Sequence, residues 1–129
     1  MGILLYKEIS YQIQGAFYEV YKELGNAFKE IAYEKALKHE LLSRKLEVEN
    51  QKRIDIKYKG NKVGVYVPDI IVEKVILIEI KCKPYFTDGD IKQFWQYLKG
   101  SDYKIGYLVN FGKSSRVEFI RRVYDTARR

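Results

Sequence analysis

Two short apolar runs, residues 67–72 and 75–80, are separated only by Glu73-Lys74 and carry charge where charge is expensive. Asp69 follows Pro68 in the first run; Glu79 lies inside the second, with Lys81 just past its end. Both runs are rich in β-branched residues and read as strands. A carboxylate or ammonium set there must be paired, liganded or functional to offset its desolvation. Side chains alternate along a strand, so Glu79 and Lys81 share one face while Ile78 and Ile80 take the other. If the strand bearing Asp69 pairs beside this one, two negative charges and one positive charge converge at one spot. Two carboxylates with an oxygen-rich opening suit a hard cation such as Mg²⁺ or Mn²⁺, which takes few protein carboxylates and keeps water. The ammonium at the rim could then orient a water or hold a phosphate oxygen.

The rest of the chain supplies a frame for that convergence. Ile9, Ile13, Ala16, Val20 and Leu24 recur at helical spacing, and Gly25-Asn26 makes a stop. A second helix is expected over about residues 28–45, with Glu30, Tyr33, Leu37 and Leu41 on one stripe. Glu30 sits at the edge of that stripe, and as a first-turn acid it also suits the helix dipole, so the residues alone leave both readings open. Residues 46–58 alternate around Val48, Ile54, Ile56 and Tyr58, Lys59-Gly60-Asn61-Lys62 signals a hairpin, and residues 63–72 return as a strand. Pro68 in that return removes a backbone donor and indicates an edge, a bulge or a strand end. A meander of three strands then sets Asp69 beside Glu79. Residues 83–89 form a loop, and Asp88 or Asp90 caps a helix over 91–99 that carries Gln93 and Tyr97 one turn apart. Residues 103–111 read as a further strand, giving the order α, α, β, β, β, α, β. In the basic tail from Lys113, Val117-Glu118-Phe119-Ile120 could open a strand, whereas Phe119, Ile120, Val123 and Tyr124 fit one helix face; periodicity does not decide. That tail is either a solvated basic end or an arm that tracks phosphates.

Pro68-Asp69 and Glu79-Ile80-Lys81 resemble the PD-(D/E)xK signature of restriction-endonuclease-like nucleases. The flanking text is similar to the GxxExxY group of that superfamily. It comprises Leu24-Gly25-Asn26-Ala27-Phe28-Lys29-Glu30-Ile31-Ala32-Tyr33-Glu34-Lys35-Ala36-Leu37, Tyr58-Lys59-Gly60, residues 93–98, and Gly106-Tyr107-Leu108-Val109-Asn110-Phe111-Gly112. The likeness runs over about residues 13–112. One departure is Ala27, which stands where the group's naming motif has its first glycine; taken as the opening of a helix, that position tolerates alanine and leaves Glu30 in register. The resemblance implies an α/β fold: a restriction-endonuclease-like αβββαβ core, a mixed central sheet flanked by helices, with an extra N-terminal helix. It also implies that Asp69 and Glu79 hold Mg²⁺ or Mn²⁺ with the main-chain carbonyl of Ile80. Glu30 would orient a water on the ion or help with a second ion, and Lys81 would position or activate the attacking water. Gln93 is placed near the lysine or a phosphate, and the product carries a 5′-phosphate.

Composition agrees with one small catalytic domain over residues 1–129: 47% hydrophobic content is enough for a core, and no second domain fits. Lys and Arg total 24 against 17 Asp and Glu, a formal charge of +7 that favours a polyanionic partner. Cys82 stands alone, so no internal disulfide or cysteine-based metal site is possible and a reducing home follows. No apolar run reaches the roughly 20 residues of a membrane span and no signal peptide core is present, so a soluble, cytoplasmic protein with no membrane partner is expected. His39 lies on a polar stretch and is not a catalytic candidate; Trp95 and the 12 tyrosines read mainly as core and rim packing. The expected activity is metal-dependent hydrolysis of phosphodiesters in nucleic acid, DNA before RNA, with a homodimer as one way to address two strands. The alternatives are a catalytically inactive nucleic-acid-binding module and an assembly protein on the same fold.

Overall fold

The computed structural model describes residues 2–124. Helix α1 (Gly2–Leu24) ends at Gly25, whose φ of +63° and N–H bond to the Tyr21 carbonyl at 2.7 Å close the last turn. Helix α2 (Glu30–Ser43) begins later than residue 28, because Lys29 holds an extended backbone and provides no side-chain cap. Ala27 therefore lies in the connection and does not open the helix; its φ is not positive, so its Cβ adds no strain. Tyr33 closes the connection, its hydroxyl donating to the Gly25 carbonyl at 2.5 Å and accepting from Phe28 N at 3.3 Å.

The chain next builds one long β-ribbon, and the ribbon bends. Strands β1 (Val48–Asn50) and β4 (Ile70–Val72) pair antiparallel at its root, and β2 (Ile54–Tyr58) and β3 (Asn61–Tyr66) pair antiparallel toward its tip. Residues 51–53 on one side and 67–69 on the other separate the two ladders, so the register passes through unchanged. Gln51 N still reaches the Asp69 carbonyl at 3.3 Å across the gap. The bend is written on both sides: Gln51 takes φ +54°, and Pro68 has no N–H to give a ladder. Unbroken strands over 46–58 and 63–72, and the simple three-strand meander, are thus corrected. The outer half leaves the main sheet and becomes a two-stranded sheet of its own.

The main sheet adds β5 (Ile76–Lys81), β6 (Ile105–Asn110) and β7 (Glu118–Val123) in the order β1-β4-β5-β6-β7. Only β5 and β6 run parallel, joined through helix α3 (Asp88–Gly100). A two-residue turn with Glu73 at φ +52° and Lys74 at +60° fixes how β5 returns beside β4. Thr87, and neither Asp88 nor Asp90, caps α3; Asp90 is the third residue of a capping box that also binds Thr87 N at 2.9 Å. The tail resolves as a strand, since β7 lies antiparallel on β6. Its last five residues, with Arg128 and Arg129, lie outside the described ones.

Alternation on β5 divides the interior. Ile76, Ile78 and Ile80 join Ile13, Phe17 and Leu37 of α1 and α2, while Leu77 joins Ile71, Ile54, Tyr66 and Leu98 under α3 and the bent ribbon. The result is a mixed α/β fold, a five-stranded mixed sheet between helices with the extra N-terminal helix in place, as the resemblance implied. Among the described residues no helix is long and apolar enough to cross a membrane.

Candidate active site

The geometry follows from counting one step past a ladder. Ile70 pairs with Ile78, so continuing the register sets Asp69 opposite Glu79 and Pro68 opposite Ile80. Two reciprocal bonds hold the pair: Asp69 Oδ2 accepts from Ile80 N at 2.8 Å, and the Glu79 carboxylate accepts from the Asp69 main-chain N–H. The N–H and C=O of one strand residue point to the same edge, so the Ile80 carbonyl is directed to the side of Asp69. Its opposite number is Pro68, which has no N–H. The carbonyl therefore has no ladder donor on the β4 side.

Electrostatics sharpen this arrangement. Burial pushes the Glu79 carboxyl up to about 8, with the Asp69 charge adding to the rise and Lys81 opposing it. Asp69 is also raised, by burial first; the Ile80 N–H works against the rise, Glu34 adds to it, and the Gln51 amide and Lys81 restrain it. The Tyr66 hydroxyl reaches Glu79 Oε1 at 3.4 Å, and burial followed by the Glu79 charge pushes that phenol well above its ordinary range. Among the described residues no ion pair within 4.0 Å uses Asp69, Glu79, Lys81 or Glu30. Two repelling carboxylates and an open carbonyl, all oxygen, form a donor set that a hard divalent cation fits. No third acid, histidine or cysteine joins them into a three-residue ligand group among the described residues, so such an ion would complete its shell with water.

The remaining sequence-derived candidates arrange themselves around this pair. Lys81 shares the face of Glu79, as alternation required, and both line a narrow cleft with Tyr66, Asp90, Gln93 and Tyr97. Gln93 is thus brought to the cleft of Glu79 and Lys81 from an exposed position on α3. Glu30 stands apart on the exposed first turn of α2; its carboxyl is raised by desolvation, then by Asp69 and Glu34, with Lys81 opposing. Cys82 faces the helix side, and burial raises its thiol to about 11, the state of an inert thiol. His39 is exposed on α2 and outside the site.

Three participants were not read from the sequence. Gln51 Nε2 donates to both Glu34 oxygens at 3.1 and 3.3 Å, and its side chain also bonds Asp69. Glu34 lies one helical turn after Glu30, a spacing from which it could have been found. Tyr66 and Gln51 gave no such signal, because their places depend on the ribbon's bend. The far end of β5 is held from β6: Phe111 N donates to the Lys81 carbonyl at 3.0 Å, and buried Asn110 binds Lys83 N at 3.0 Å and Lys83 O at 2.8 Å. Lys83 Nζ in turn meets Asp90 at 2.7 Å, tying this strand end to the start of α3.

Residues 7–123 match the family model of the PD-(D/E)XK nuclease superfamily. No curated protein matches the chain. Among solved structures, it is similar to the crystal structure of an alkaline exonuclease, LHK-Exo, from Laribacter hongkongensis, at 17% identity and a TM-score of 0.41. The match covers 70% of this chain and 53% of the exonuclease, so the chain spans about half that protein's length.

Proposed function

Because the chain belongs to the PD-(D/E)XK nuclease superfamily, we propose that it is a divalent-metal-dependent nuclease of the GxxExxY group, hydrolysing phosphodiesters in DNA in preference to RNA. The observation that carries this reading is the pairing of Asp69 with Glu79 beside Lys81, with none of the three charges spent in an ion pair among the described residues. An assembly protein would have its acids neutralised by neighbouring lysines, and these are not.

Asp69, Glu79 and the Ile80 carbonyl would hold Mg²⁺ or Mn²⁺. The bound ion supplies a lowered pKa for water and a positive charge facing the phosphate. Lys81 cannot be a ligand while protonated; its ammonium positions the attacking water and offsets charge developing on the scissile phosphate. Gln93, across the cleft from Lys81, holds a phosphate oxygen or the lysine itself through its amide. Glu30, outside the ligand pair but within its field, orients a water toward the pair. Gln51 and the Ile80 N–H keep Asp69 aimed, so the protein's share of the catalysis is geometry. We read residues 1–129 as one nuclease-like domain, in a reducing, cytoplasmic setting that the lone Cys82 suits. A homodimer would let two sites address two strands.

The test is incubation of wild type and Asp69→Ala with labelled linear, circular and branched DNA and with RNA, in Mg²⁺, Mn²⁺ or EDTA. Cleavage that requires the ion and disappears in the variant is the expected result. No cleavage under any condition, with both proteins binding DNA alike, would favour a catalytically inactive binding module.

A further inference from the structure

The bent ribbon has a fixed base and a bare tip. Ile54 and Tyr66 at the base are buried, and Ile56 packs so closely on α3 that a Cβ at Gly100 would come within 3.1 Å of it. Beyond them Lys57, Tyr58, Lys59, Lys62 and Val63 are all exposed, Tyr58 by 60% and Val63 by 63%. Residues 51–67 carry five basic side chains against one acid, Asp55, which is more than half of the chain's formal excess of +7. Lys57 and Lys62 are directly opposed across the ladder, an arrangement that destabilises a hairpin standing in water. Among the described residues Asp55 forms its one ion pair with Lys62, at 3.5 Å, while the Lys59 ammonium stands 5.3 Å over the Tyr58 ring. The base of this same ribbon carries Tyr66, which touches Glu79, and continues into the bend where Gln51 bonds Asp69.

From this juxtaposition we propose that the β2–β3 ribbon is a substrate arm. Its lysines would track the phosphates of the nucleic-acid strand leading away from the bond that is cut, and Tyr58 and Val63 would lie against sugars and bases. The inference rests on the nuclease reading of the site and adds where the substrate runs. The six residues of β3 span about 20 Å at roughly 3.3 Å each, which matches about six nucleotides at 3.4 Å per nucleotide along one strand. Grip at the tip therefore requires a substrate reaching about that far beyond the cut. A rigid base makes the arm a ruler, since little ordering is left to be done on binding. Charge selects the occupant: a protein partner would have to bring acids to opposed lysines, whereas a phosphodiester strand brings them at every step.

The experiment compares wild type with K57Q/K59Q/K62Q and with the control K35Q/K38Q on the exposed face of α2. Binding to a labelled 20-base-pair duplex and to the matching single strand is followed by anisotropy in EDTA over a range of NaCl. The slope of log affinity against log salt should fall by about 2 to 3 in the triple variant, at roughly 0.9 per phosphate for duplex and 0.7 for single strand, and stay unchanged in the control. In Mg²⁺, KM on long DNA should rise at least tenfold with kcat retained, while a tetranucleotide shows no difference. An unchanged slope in the triple variant, an equal fall in the control, or a loss of self-association with the slope intact would overturn the arm. Melting by circular dichroism checks folding, and the three single substitutions, each expected to lower the slope by about 1, decide the matter if the triple variant is unstable. Cleavage that depends on Asp69 while the slope does not move sinks the arm alone. A slope that moves without metal-dependent cleavage sinks the nuclease reading and leaves the ribbon a nucleic-acid-binding arm with no cut to lead from.

Discussion

Removing the negative charge of Glu79 should stabilise the metal-free protein while abolishing its chemistry, and the size of the effect can be worked out from the site. The carboxyl is pushed up to about 8 from the 4.5 of an unperturbed glutamate, chiefly by burial and then by Asp69. A folded pKa above the unfolded one means that the folded state binds the extra proton. The penalty is absent below about pH 4.5, grows as pH rises, and is complete once pH passes about 8. At about 1.4 kcal/mol per unit the ceiling is roughly 5 kcal/mol. Protons leave the Asp69 and Glu79 pair jointly, so about 2 to 5 kcal/mol is the expected range. In Glu79→Gln the amide oxygen still accepts from the Asp69 N–H, and nothing at this position titrates.

The assay is thermal unfolding of both proteins in EDTA from pH 4.5 to 9. The variant should match wild type at the acid end and exceed it by about 10 °C at pH 8, given roughly 3 to 5 °C per kcal/mol for a chain of this length. Contributions common to both, such as the low-pKa Asp90 held by Lys83, cancel in the difference. Adding Mg²⁺ at pH 8 should raise the wild-type midpoint and leave the variant unmoved, because an ion that binds only the native site stabilises by mass action. A difference that stays flat across the range, or one in which wild type gains on the variant as pH rises, would refute the reasoning about burial and repulsion.

Two further outcomes test the support around the pair. Lys81→Ala should lose turnover by two or more orders of magnitude while calorimetry still detects metal binding, since the ammonium is not a ligand; undiminished cleavage would remove its role. Gly112→Ala should lower stability by about 1 to 3 kcal/mol and depress kcat with it, because its new methyl would overlap the Lys83 backbone and stand 2.7 Å from the Cys82 carbonyl carbon, forcing the end of β5 off β6. Unchanged melting in that variant would show that this strand end is not held as described.

What could be read from the chain beforehand was local. Alternation along β5 sorted Ile78 and Ile80 from Glu79 and Lys81, and that sorting needs only a period of two. Helical spacing around Ile13, Ala16 and Leu37 likewise depends on neighbours in sequence. What escaped was set by partners distant in sequence. Thr87 caps α3 because Asp90 lands at its third position, a placement that shifts with any change in where the helix begins. Residues 118–123 satisfied two periodicities at once, and the free edge of β6 decided for a strand. Gln51 carried no mark at all: an amide in a polar stretch becomes a support for Asp69 only when the ribbon turns beneath it.

That turn connects the fold to the chemistry more closely than the signature does. Pro68 ends the ladder by lacking a donor, and the same lack leaves the Ile80 carbonyl open beside Asp69. Ile80 N gives its hydrogen bond to the Asp69 carboxylate, not to a ladder carbonyl. Gln51 at φ +54° lets the opposing side follow the bend and delivers its amide to the same carboxylate. One interruption in an otherwise continuous register therefore creates an unpaired oxygen, aims an acid and swings the basic half of the ribbon away from the sheet. A straight ribbon would bury Asp69 in a ladder, satisfy the carbonyl, and carry Lys57, Lys59 and Lys62 along the sheet axis. On this view proline precedes the aspartate for a physical reason: the donor it withholds leaves an oxygen of the main chain open beside the acids.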